Sequence, residues 1–371
     1  MKILQLIYES HGSPFGFGGA GVRAYEIYKR LRERHEIDLV CMKYPGARDG
    51  EREGLQHIFL GTESRSLARS VLAYTVGASR YVRRFGNEYE VIVENFLPTT
   101  PFFAKFRTKT PVVLQVQGVM KGHYFWKFPW YYSSPMYLCE WLYPKLYERL
   151  LFASDGTRER LLAQHHGRLK LSEVIPNGVD KELFGEGNEE EDYILFFSRI
   201  DIYTKGLDVL VKAFGALSGR FPHMLLKLAG FPTDDVTGLI GTLPSDVQRK
   251  VEYAGFVEGR AKTALLSKAK VVVLPSRHES APISILEAAA CGKPLVVSDI
   301  LEMEVVEKEG FGLSFPAGSV EGLKEKMEIL LTDEALRKRM GEVGREWAAG
   351  FSWDVSARAF EDVLKKVVSA V

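Results

Sequence analysis

The sequence is poor in cysteine and has no long apolar run. Cys41, Cys139 and Cys291 are its three cysteines, and neither Cys-x-x-Cys nor His-x-x-x-His spacing occurs. We therefore expect no zinc site and a reducing, cytoplasmic compartment. Nowhere do about 18 apolar residues follow one another, so we expect no transmembrane helix. The amino terminus carries one lysine before a short apolar run, which indicates a first strand and not a signal peptide.

Neither sign of charge dominates, and the sequence contains no Asp-x-Asp. Lysine and arginine total 49 against 48 acidic residues, for a formal net charge of +1. This balance provides no general attraction to nucleic acid, so we expect no such partner. Without Asp-x-Asp, a metal-chelating pair of carboxylates has no obvious ligands, and we expect no metal site. The length of 371 residues exceeds what one hydrophobic core usually organises and predicts two domains.

Short β-rich runs alternate with amphipathic helical stretches along the chain. A first series runs from "KILQLI" (2–7) to "SEVIP" (172–176), and a second runs from "YILFFS" (193–198) to "GLSFP" (312–316). The acidic, glycine-containing residues 185–192 lie between the two series and indicate a linker. Near-continuous apolar strands that alternate with helices are typical of parallel sheets covered on both faces. The pattern predicts an α/β fold of two doubly wound, Rossmann-like domains facing across a cleft, with ligands at the carboxyl ends of the strands.

We predict three segments from this pattern. Residues 1–170 form an amino-terminal domain and residues 171–353 form a nucleotide-binding domain. Residues 354–371 form a last helix, which we expect to return to the first domain because it comes well after the final strand.

Residues 16–21, "GFGGAG", match the G-x-G-x-x-G pattern of dinucleotide sites. About fourteen residues separate Ile7 from Gly21, too many for the tight turn of that fingerprint. The second strand also lacks the expected acidic residue at its end, although Lys43 there leaves an NADP-dependent dehydrogenase open. A flexible surface loop is a second alternative. We favour a loop in which the backbone N–H groups at Gly18 and Gly19 bind a phosphate or a sugar.

Two cations follow the first strand of the second series. Arg199 lies just past that strand and Lys205 lies at the start of the next helix, where doubly wound folds bind anions. A planar guanidinium and a compact ammonium together suit a diphosphate. Alternatively, both cations are solvated or pair with Asp201 and Asp208.

The segment "PSRHESAPISILEAAACGKP" (275–294) contains two glutamates separated by seven residues. Pro282 suits a first helical position, which places Glu279 in the loop before the helix and Glu287 within the helix. Both would lie at the same strand ends as the two cations. Three interpretations stay open: an acid and base pair of a glycosidase, carboxylates that bind ribose hydroxyls, and two solvated acids.

This segment resembles the glutamate-x7-glutamate motif of family 4 retaining glycosyltransferases of the GT-B type. "IPNGVD" (175–180), "SRIDIYTKGLDVLVKAF" (198–214), "AGFV" (254–257) and "FGLSFPAGSVEGL" (311–323) are similar to further signatures of that family, in its usual order. "GGAG" (18–21) resembles its amino-terminal glycine loop, and "FSWDVSA" resembles its closing segment. The resemblance covers nearly the whole chain and is densest from residue 172 onward.

The resemblance implies a metal-independent transfer of a sugar from a UDP-, GDP- or ADP-sugar to an acceptor, with the anomeric configuration retained and no further cofactor. The acceptor could be a glycan, a lipid-linked sugar or a small molecule. By the resemblance, Arg199 and Lys205 would neutralise the leaving diphosphate, and Glu279 would contact the sugar. Glu287 would bind the ribose hydroxyls, and the Val257 backbone would contact the base. Pro282, Ile283 and Ser284 would contact the nucleotide sugar. A nucleotide-sugar epimerase, a phosphorylase and a non-catalytic nucleotide-sugar-binding protein remain alternatives.

Two positions depart from the family pattern. Pro282 stands in a run that is often Gly-Phe-Gly-like, and it has no N–H to donate. Gln117 stands where the family commonly has a histidine, and an amide cannot accept a proton. His123 is a nearby substitute for that histidine, and His11 is a weaker one.

Residues 123–150 are far richer in Trp, Tyr and Phe than the rest of the chain. Aromatic rings stack on sugars and also favour the membrane interface, so an acceptor site and a peripheral membrane contact are both open. A packed core or a dimer contact is the more ordinary interpretation.

Overall fold

The computed structural model describes residues 1–165, 167–185 and 189–370. The chain forms two compact units, one made of Met1–Asn177 with Trp353–Val371 and the other of Gly178–Ser352. Strands and helices alternate in both units. The predicted α/β class is therefore confirmed.

The first unit contains one sheet. Its strands in chain order are β1 (Lys2–Leu6), β2 (Glu36–Met42), β3 (Gly50–Arg52), β4 (Leu55–Leu60), β5 (Val91–Phe96), β6 (Val112–Val116), β7 (Arg149–Phe152) and β8 (Leu171–Val174). Across the described part of this unit the strand order is β3-β4-β2-β1-β5-β6-β7-β8. β3 runs antiparallel to β4, and the other neighbours are parallel.

The central strands are buried almost throughout, as their continuous apolar sequences predict. Every residue of β5 and β6 is buried, and so is every residue of β2 after Glu36. β3 and β4 were not among the strands predicted from the sequence. In β4 alternate residues are buried, but one of the buried residues is His57, and the apolar Ile58 and Leu60 lie on the other side. The apolar residues of "LQHIFL" therefore do not alternate as those of a half-buried strand usually do.

Helices cover the first sheet. They are α1 (Gly19–Leu31), α2 (Leu67–Phe85), α3 (His123–Lys127), α4 (Trp130–Leu142), α5 (Asp155–Leu162) and, from the end of the chain, α14 (Trp353–Ser369). Helix α14 packs on α1, where the rings of Tyr28 and Phe360 meet edge to face at a centroid distance of 5.7 Å. Arg30 Nε also lies 2.6 Å from Asp354 Oδ1. The end of the chain therefore belongs to the core of the first unit.

The second unit contains a sheet of parallel strands. They are β9 (Tyr193–Phe197), β10 (Leu225–Ala229), β11 (Val251–Gly255), β12 (Val271–Leu274), β13 (Leu295–Ser298) and β14 (Gly312–Phe315). Their order in the described residues is β11-β10-β9-β12-β13-β14. The chain adds strands on one side of β9 and then crosses to its other side with β12. The carboxyl ends of β9 and β12 therefore form a topological switch point, where open α/β sheets bind ligands.

The helices of the second unit are α6 (Leu207–Leu217), α7 (Val236–Gly241), α8 (Ser245–Gln248), α9 (Gly259–Ser267), α10 (Ile283–Ala290), α11 (Glu304–Lys308), α12 (Val320–Thr332) and α13 (Glu334–Ala348). In α6 the apolar residues at helical spacing are all buried, namely Leu207, Leu210, Val211, Phe214 and Leu217. In α10 the run Ala288, Ala289 and Ala290 is fully buried. These small side chains let α10 lie close to its neighbours in the core.

Two segments near the predicted domain boundary differ from the expected division of the chain. β8 pairs in parallel with β7, so the strand predicted at 172–176 is the last strand of the first sheet and lies beyond residue 170. Of the predicted linker 185–192, residues 186–188 lie outside the described residues. Glu190 Oε2 lies 3.0 Å from Arg337 Nη2 within the second unit, so this part of the acidic stretch contributes to that unit's packing.

Candidate functional site

The switch point of the second sheet brings together three of the predicted residues. Arg199 and Lys205 lie in the segment between β9 and α6, and Glu279 lies between β12 and α10. Because β9 and β12 are neighbours in the sheet, the two segments meet at one edge. Lys205 Nζ is 2.5 Å from Glu279 Oε1, although 74 positions separate them in the sequence.

The Lys205–Glu279 pair is largely withdrawn from solvent. The two side chains are 11% and 7% exposed. Ser276 Oγ donates a second hydrogen bond to Glu279 Oε1 at 2.8 Å. The alternative in which Lys205 is solvated or pairs with Asp201 or Asp208 is therefore wrong. Glu279 orients the ammonium group, and a ligand anion would find this cation already positioned.

Asp201 organises the turn that carries both cations. Its side chain is buried, and Oδ1 accepts a hydrogen bond from the backbone N–H of Thr204 at 3.0 Å. Arg199 Nη2 lies 3.5 Å from Asp201 Oδ2, as the alternative interpretation allowed. The Arg199 side chain remains 41% exposed. Its guanidinium therefore has room to bind a ligand while Asp201 limits its orientation.

The turn after β9 and the loop after β12 touch at Gly206. This residue has φ of +67°, and a Cβ atom there would lie 1.9 Å from the carbonyl oxygen of Pro275. Only glycine fits, because it tolerates the left-handed conformation and leaves space for the carbonyl. The close approach holds Lys205 against the loop that carries Glu279.

Arg277 links the same two loops, and it was not among the site residues predicted from the sequence. Its Nη1 and Nη2 atoms bind Asp208 Oδ1 and Oδ2 at 2.7 and 2.8 Å, and Nη1 also donates to the carbonyl of Tyr203. Burial alone raises the pKa of Asp208, but the hydrogen bonds and charge of Arg277 outweigh it and lower that pKa. Asp208 therefore pairs with Arg277 and not with the two predicted cations.

Helix α10 places Glu287 beside a lysine from α9. Lys262 Nζ lies 2.7 Å from Glu287 Oε1, a contact that the sequence analysis did not anticipate. Ile283 and Ser284 are the first two residues of the helix. Pro282 is the residue before the helix and not its first residue, because its ψ of 110° is extended. Val257 follows β11 at the same end of the sheet.

The glycine loop lies in the first unit, and a carboxylate accepts hydrogen bonds from two of its backbone N–H groups. Glu9 Oε2 accepts hydrogen bonds from the backbone N–H groups of Gly18 at 3.0 Å and Gly21 at 2.6 Å. The loop is therefore ordered by a buried carboxylate of its own unit. A Cβ at Gly21 would lie 2.7 Å from Glu9 Oε2, so this glycine permits the approach. Gly19 is the first residue of α1.

The residues considered for the family histidine lie in different surroundings. Gln117 Nε2 donates to Asn95 Oδ1 at 2.8 Å, so two amides stand at the ends of β5 and β6. His123 begins α3, and burial, followed by the charge of Arg160, lowers its pKa. The His11 ring packs on Phe17 at a centroid distance of 4.0 Å.

The aromatic stretch divides into a buried and an exposed set. Tyr124, Tyr143 and Tyr147 are buried and donate hydrogen bonds to the buried carboxylates of Glu94 and Glu140. The other side is solvent-exposed, and we call it the aromatic face: Phe125, Trp126, Trp130, Tyr131, Tyr132, Tyr137, Leu138, Trp141 and Leu142. A packed core therefore accounts for only part of the stretch.

Neither a metal centre nor a membrane span stands out in the described ranges. No three His, Cys, Asp or Glu side chains among them are grouped closely enough to hold a metal ion. Every helix within those ranges is too short or too polar to cross a bilayer.

Two family models match adjoining parts of the chain. The model described as Glycosyltransferase Family 4 matches residues 17–183, and the model described as Glycosyl transferases group 1 matches residues 179–347. Among relatives, the chain is 27% identical over 232 residues to the D-inositol 3-phosphate glycosyltransferase of Kribbella flavida, which covers 57% of this chain and 54% of the relative. It is 27% identical over 204 residues to the phosphatidyl-myo-inositol mannosyltransferase of Mycobacterium leprae, covering 53% of this chain and 54% of the relative. The chain thus matches about half the length of these relatives.

Solved structures resemble the whole chain. Sucrose-phosphate synthase from Thermosynechococcus elongatus has a TM-score of 0.80 at 19% identity and covers 100% of both chains. Anabaena HepE in complex with UDP-glucose has a TM-score of 0.75 at 20% identity, covering 99% of this chain and 100% of that one. At these identities the likeness shows the fold, and it confirms the predicted GT-B class.

Proposed function

Because the chain belongs to glycosyltransferase family 4, we propose that it transfers a sugar from a nucleotide-diphosphate sugar to an acceptor, with retention of configuration and without a metal ion. The observation that carries the proposal is the convergence of Arg199, Lys205 and Glu279 at the switch point of the second sheet. The glycosidase interpretation of Glu279 is less suitable, because this carboxylate is bound to Lys205 and Ser276.

The two cations act on the leaving group. When the bond between the sugar and the diphosphate breaks, negative charge accumulates on the phosphate oxygens. The Lys205 ammonium and the Arg199 guanidinium would bind those oxygens and stabilise the charge. Glu279 and Asp201 hold the cations before the substrate arrives, so little reorganisation is needed during the reaction.

The remaining second-unit residues bind the nucleotide. Glu287 would accept hydrogen bonds from the ribose hydroxyls, with Lys262 fixing its orientation. The N–H groups of Ile283 and Ser284 at the start of α10 have no acceptor within the helix and would bind phosphate or sugar oxygens. The Val257 backbone would contact the base. Anabaena HepE was solved with UDP-glucose, so UDP-sugars are tested first, followed by GDP- and ADP-sugars.

A thermal-shift panel of UDP, GDP, ADP and their hexose conjugates identifies the nucleotide sugar, because a ligand that binds only the native state raises its apparent stability. Transfer is then assayed with that nucleotide sugar, in EDTA, against glycan, lipid-linked and small-molecule acceptors. We expect Arg199→Ala to lower kcat by about 10²–10³ and to leave the melting temperature near that of the parent, since Arg199 is partly exposed.

Lys212→Ala is the matched control, because it removes an exposed cation from α6 outside the switch point. Equal turnover of Arg199→Ala and Lys212→Ala would contradict the leaving-group role. Strict dependence on added Mg²⁺ would contradict metal independence, and inversion of the product anomer would contradict retention. An epimerised monosaccharide product, a requirement for phosphate, or tight binding without transfer would favour the epimerase, phosphorylase or non-catalytic alternatives.

A further inference from the structure

Helix α4 presents its apolar side to solvent. Ser133 and Glu140 lie on its buried side, whereas Trp130 is 74% exposed and Trp126 of the adjoining α3 is 77% exposed. A surface helix normally has the opposite arrangement, with apolar residues inside and polar residues outside. A cluster of exposed large apolar side chains marks an interaction surface.

The segment that carries the aromatic face is rich in cations. Residues 101–147 contain six lysines and arginines and a single acidic residue, Glu140. Glu140 is buried and accepts hydrogen bonds from the backbone N–H groups of Met120 and Lys121 and from the Tyr124 hydroxyl, at 2.6–2.8 Å. These hydrogen bonds occupy the carboxylate, and the exposed charges contributed by residues 101–147 are cationic.

A small pocket adjoins the aromatic face. Lys121, Lys145 and Arg160 line it, and so does Trp141, which belongs to the aromatic face. Lys145 Nζ lies 3.6 Å from the centre of the Trp141 ring, so cation and aromatic ring form one surface. Glu140 also lines the pocket, but its carboxylate accepts the three hydrogen bonds given above, and the three cations outnumber it. The pocket therefore has an excess of positive charge, which suits a phosphate group.

We infer that α3 and α4 dock the protein on a bilayer that contains anionic phospholipid. The aromatic face would lie at the level of the headgroups, where tryptophan and tyrosine rings are favoured, and the cationic pocket would bind a lipid phosphate. A second copy of the chain fits less well, because a twofold contact would oppose the lysines of two copies without carboxylates from this segment between them. The inference concerns binding alone and does not rest on the proposed sugar transfer.

Flotation of the full chain with vesicles tests the inference. We compare vesicles of phosphatidylcholine with vesicles of equimolar phosphatidylcholine and phosphatidylglycerol. We expect tighter binding to the anionic vesicles. Replacing Lys121 and Lys145 together by glutamine should weaken that binding about 30-fold, roughly fivefold for each cation. Replacing Trp126 and Trp130 together by serine should weaken it by at least about tenfold.

Two controls separate docking from general effects. Leu72→Ser removes an exposed apolar side chain from α2, and the double variant Lys324→Gln, Lys338→Gln removes two lysines from α12 and α13. Both should bind as the parent does, and all variants should keep the parent's circular dichroism spectrum. Failure of the parent to float with anionic vesicles would overturn the inference. Equal losses of vesicle binding in the control variants would also overturn it. So would a parent protein that does not bind vesicles but self-associates, if the tryptophan variant abolishes that self-association.

Discussion

The Lys205–Glu279 pair allows a direct test of the geometry at the switch point. The perturbation is a double-mutant cycle of Lys205→Met and Glu279→Gln, made singly and together. Lys205→Met leaves the Glu279 carboxylate buried, with the Ser276 hydroxyl still donating a hydrogen bond to it. Glu279→Gln is milder, because the amide oxygen can still accept a hydrogen bond from the ammonium.

The magnitudes follow from burial and distance. Breaking a buried ion pair by removing one partner costs about 3–5 kcal/mol. Because Ser276 still donates to Glu279 at 2.8 Å, we expect Lys205→Met to cost about 3 kcal/mol. Glu279→Gln should cost about 1–2 kcal/mol, as for a weakened hydrogen bond to a charged group. The coupling energy should be about 2 kcal/mol, within the range for residues in direct contact.

Thermal and denaturant unfolding of the four proteins measure the cycle. For a unit of this size, 1 kcal/mol corresponds to about 2–4 °C, so Lys205→Met should melt about 6–12 °C below the parent. A coupling energy below about 0.5 kcal/mol would equal that of independent sites. In that case Lys205 and Glu279 would not interact in solution, and the arrangement of cations at the switch point would be refuted.

Three further predictions concern the same loops and the first unit. Gly206→Ala should cost at least about 2 kcal/mol from left-handed strain and overlap with the Pro275 carbonyl, and unchanged denaturant midpoints would contradict this. Asp208→Asn should cost about 1 kcal/mol and weaken nucleotide binding, because it loosens Arg277; unaltered calorimetric affinity would contradict the second part. Burial raises the pKa of Glu94 to about 7, opposed by hydrogen bonds from Tyr143 and Tyr147, so stability should fall by roughly 3 kcal/mol as the pH rises from about 4.5 to above 7. Glu94→Gln should make the melting temperature less dependent on pH. Parallel plots of melting temperature against pH for the parent and for Glu94→Gln would refute this prediction.

The local sequence pattern predicted most of the helices and strands, and it located each candidate residue relative to them. Continuous apolar runs predicted β9 and β12, because strands buried on both faces need apolar side chains at every position. Pro282 and Gly292 bracketed α10 to within a residue, since each has a backbone preference that needs no tertiary context. β4 was not recognisable in this way, because its buried positions include His57 and its apolar residues do not alternate.

The local sequence pattern could not predict which side chains form ion pairs with one another. Lys205 could have paired with Asp201 or Asp208, which are near in sequence, yet it binds Glu279, 74 positions away. The reason is that β12 crosses to the far side of β9, and this strand order is set by the packing of the whole sheet. The same holds for Arg277 with Asp208 and Lys262 with Glu287.

Composition likewise identified the aromatic segment 123–150 but not which of its rings are exposed. Tyrosine occurs both on the buried side, at Tyr124, and on the aromatic face, at Tyr131. Which side faces solvent depends on the carboxylates of Glu94 and Glu140, which hold the buried tyrosines by hydrogen bonds. The periodicity of the sequence shows that a helix has two different sides. Contacts with residues that are distant in the sequence determine which side is buried.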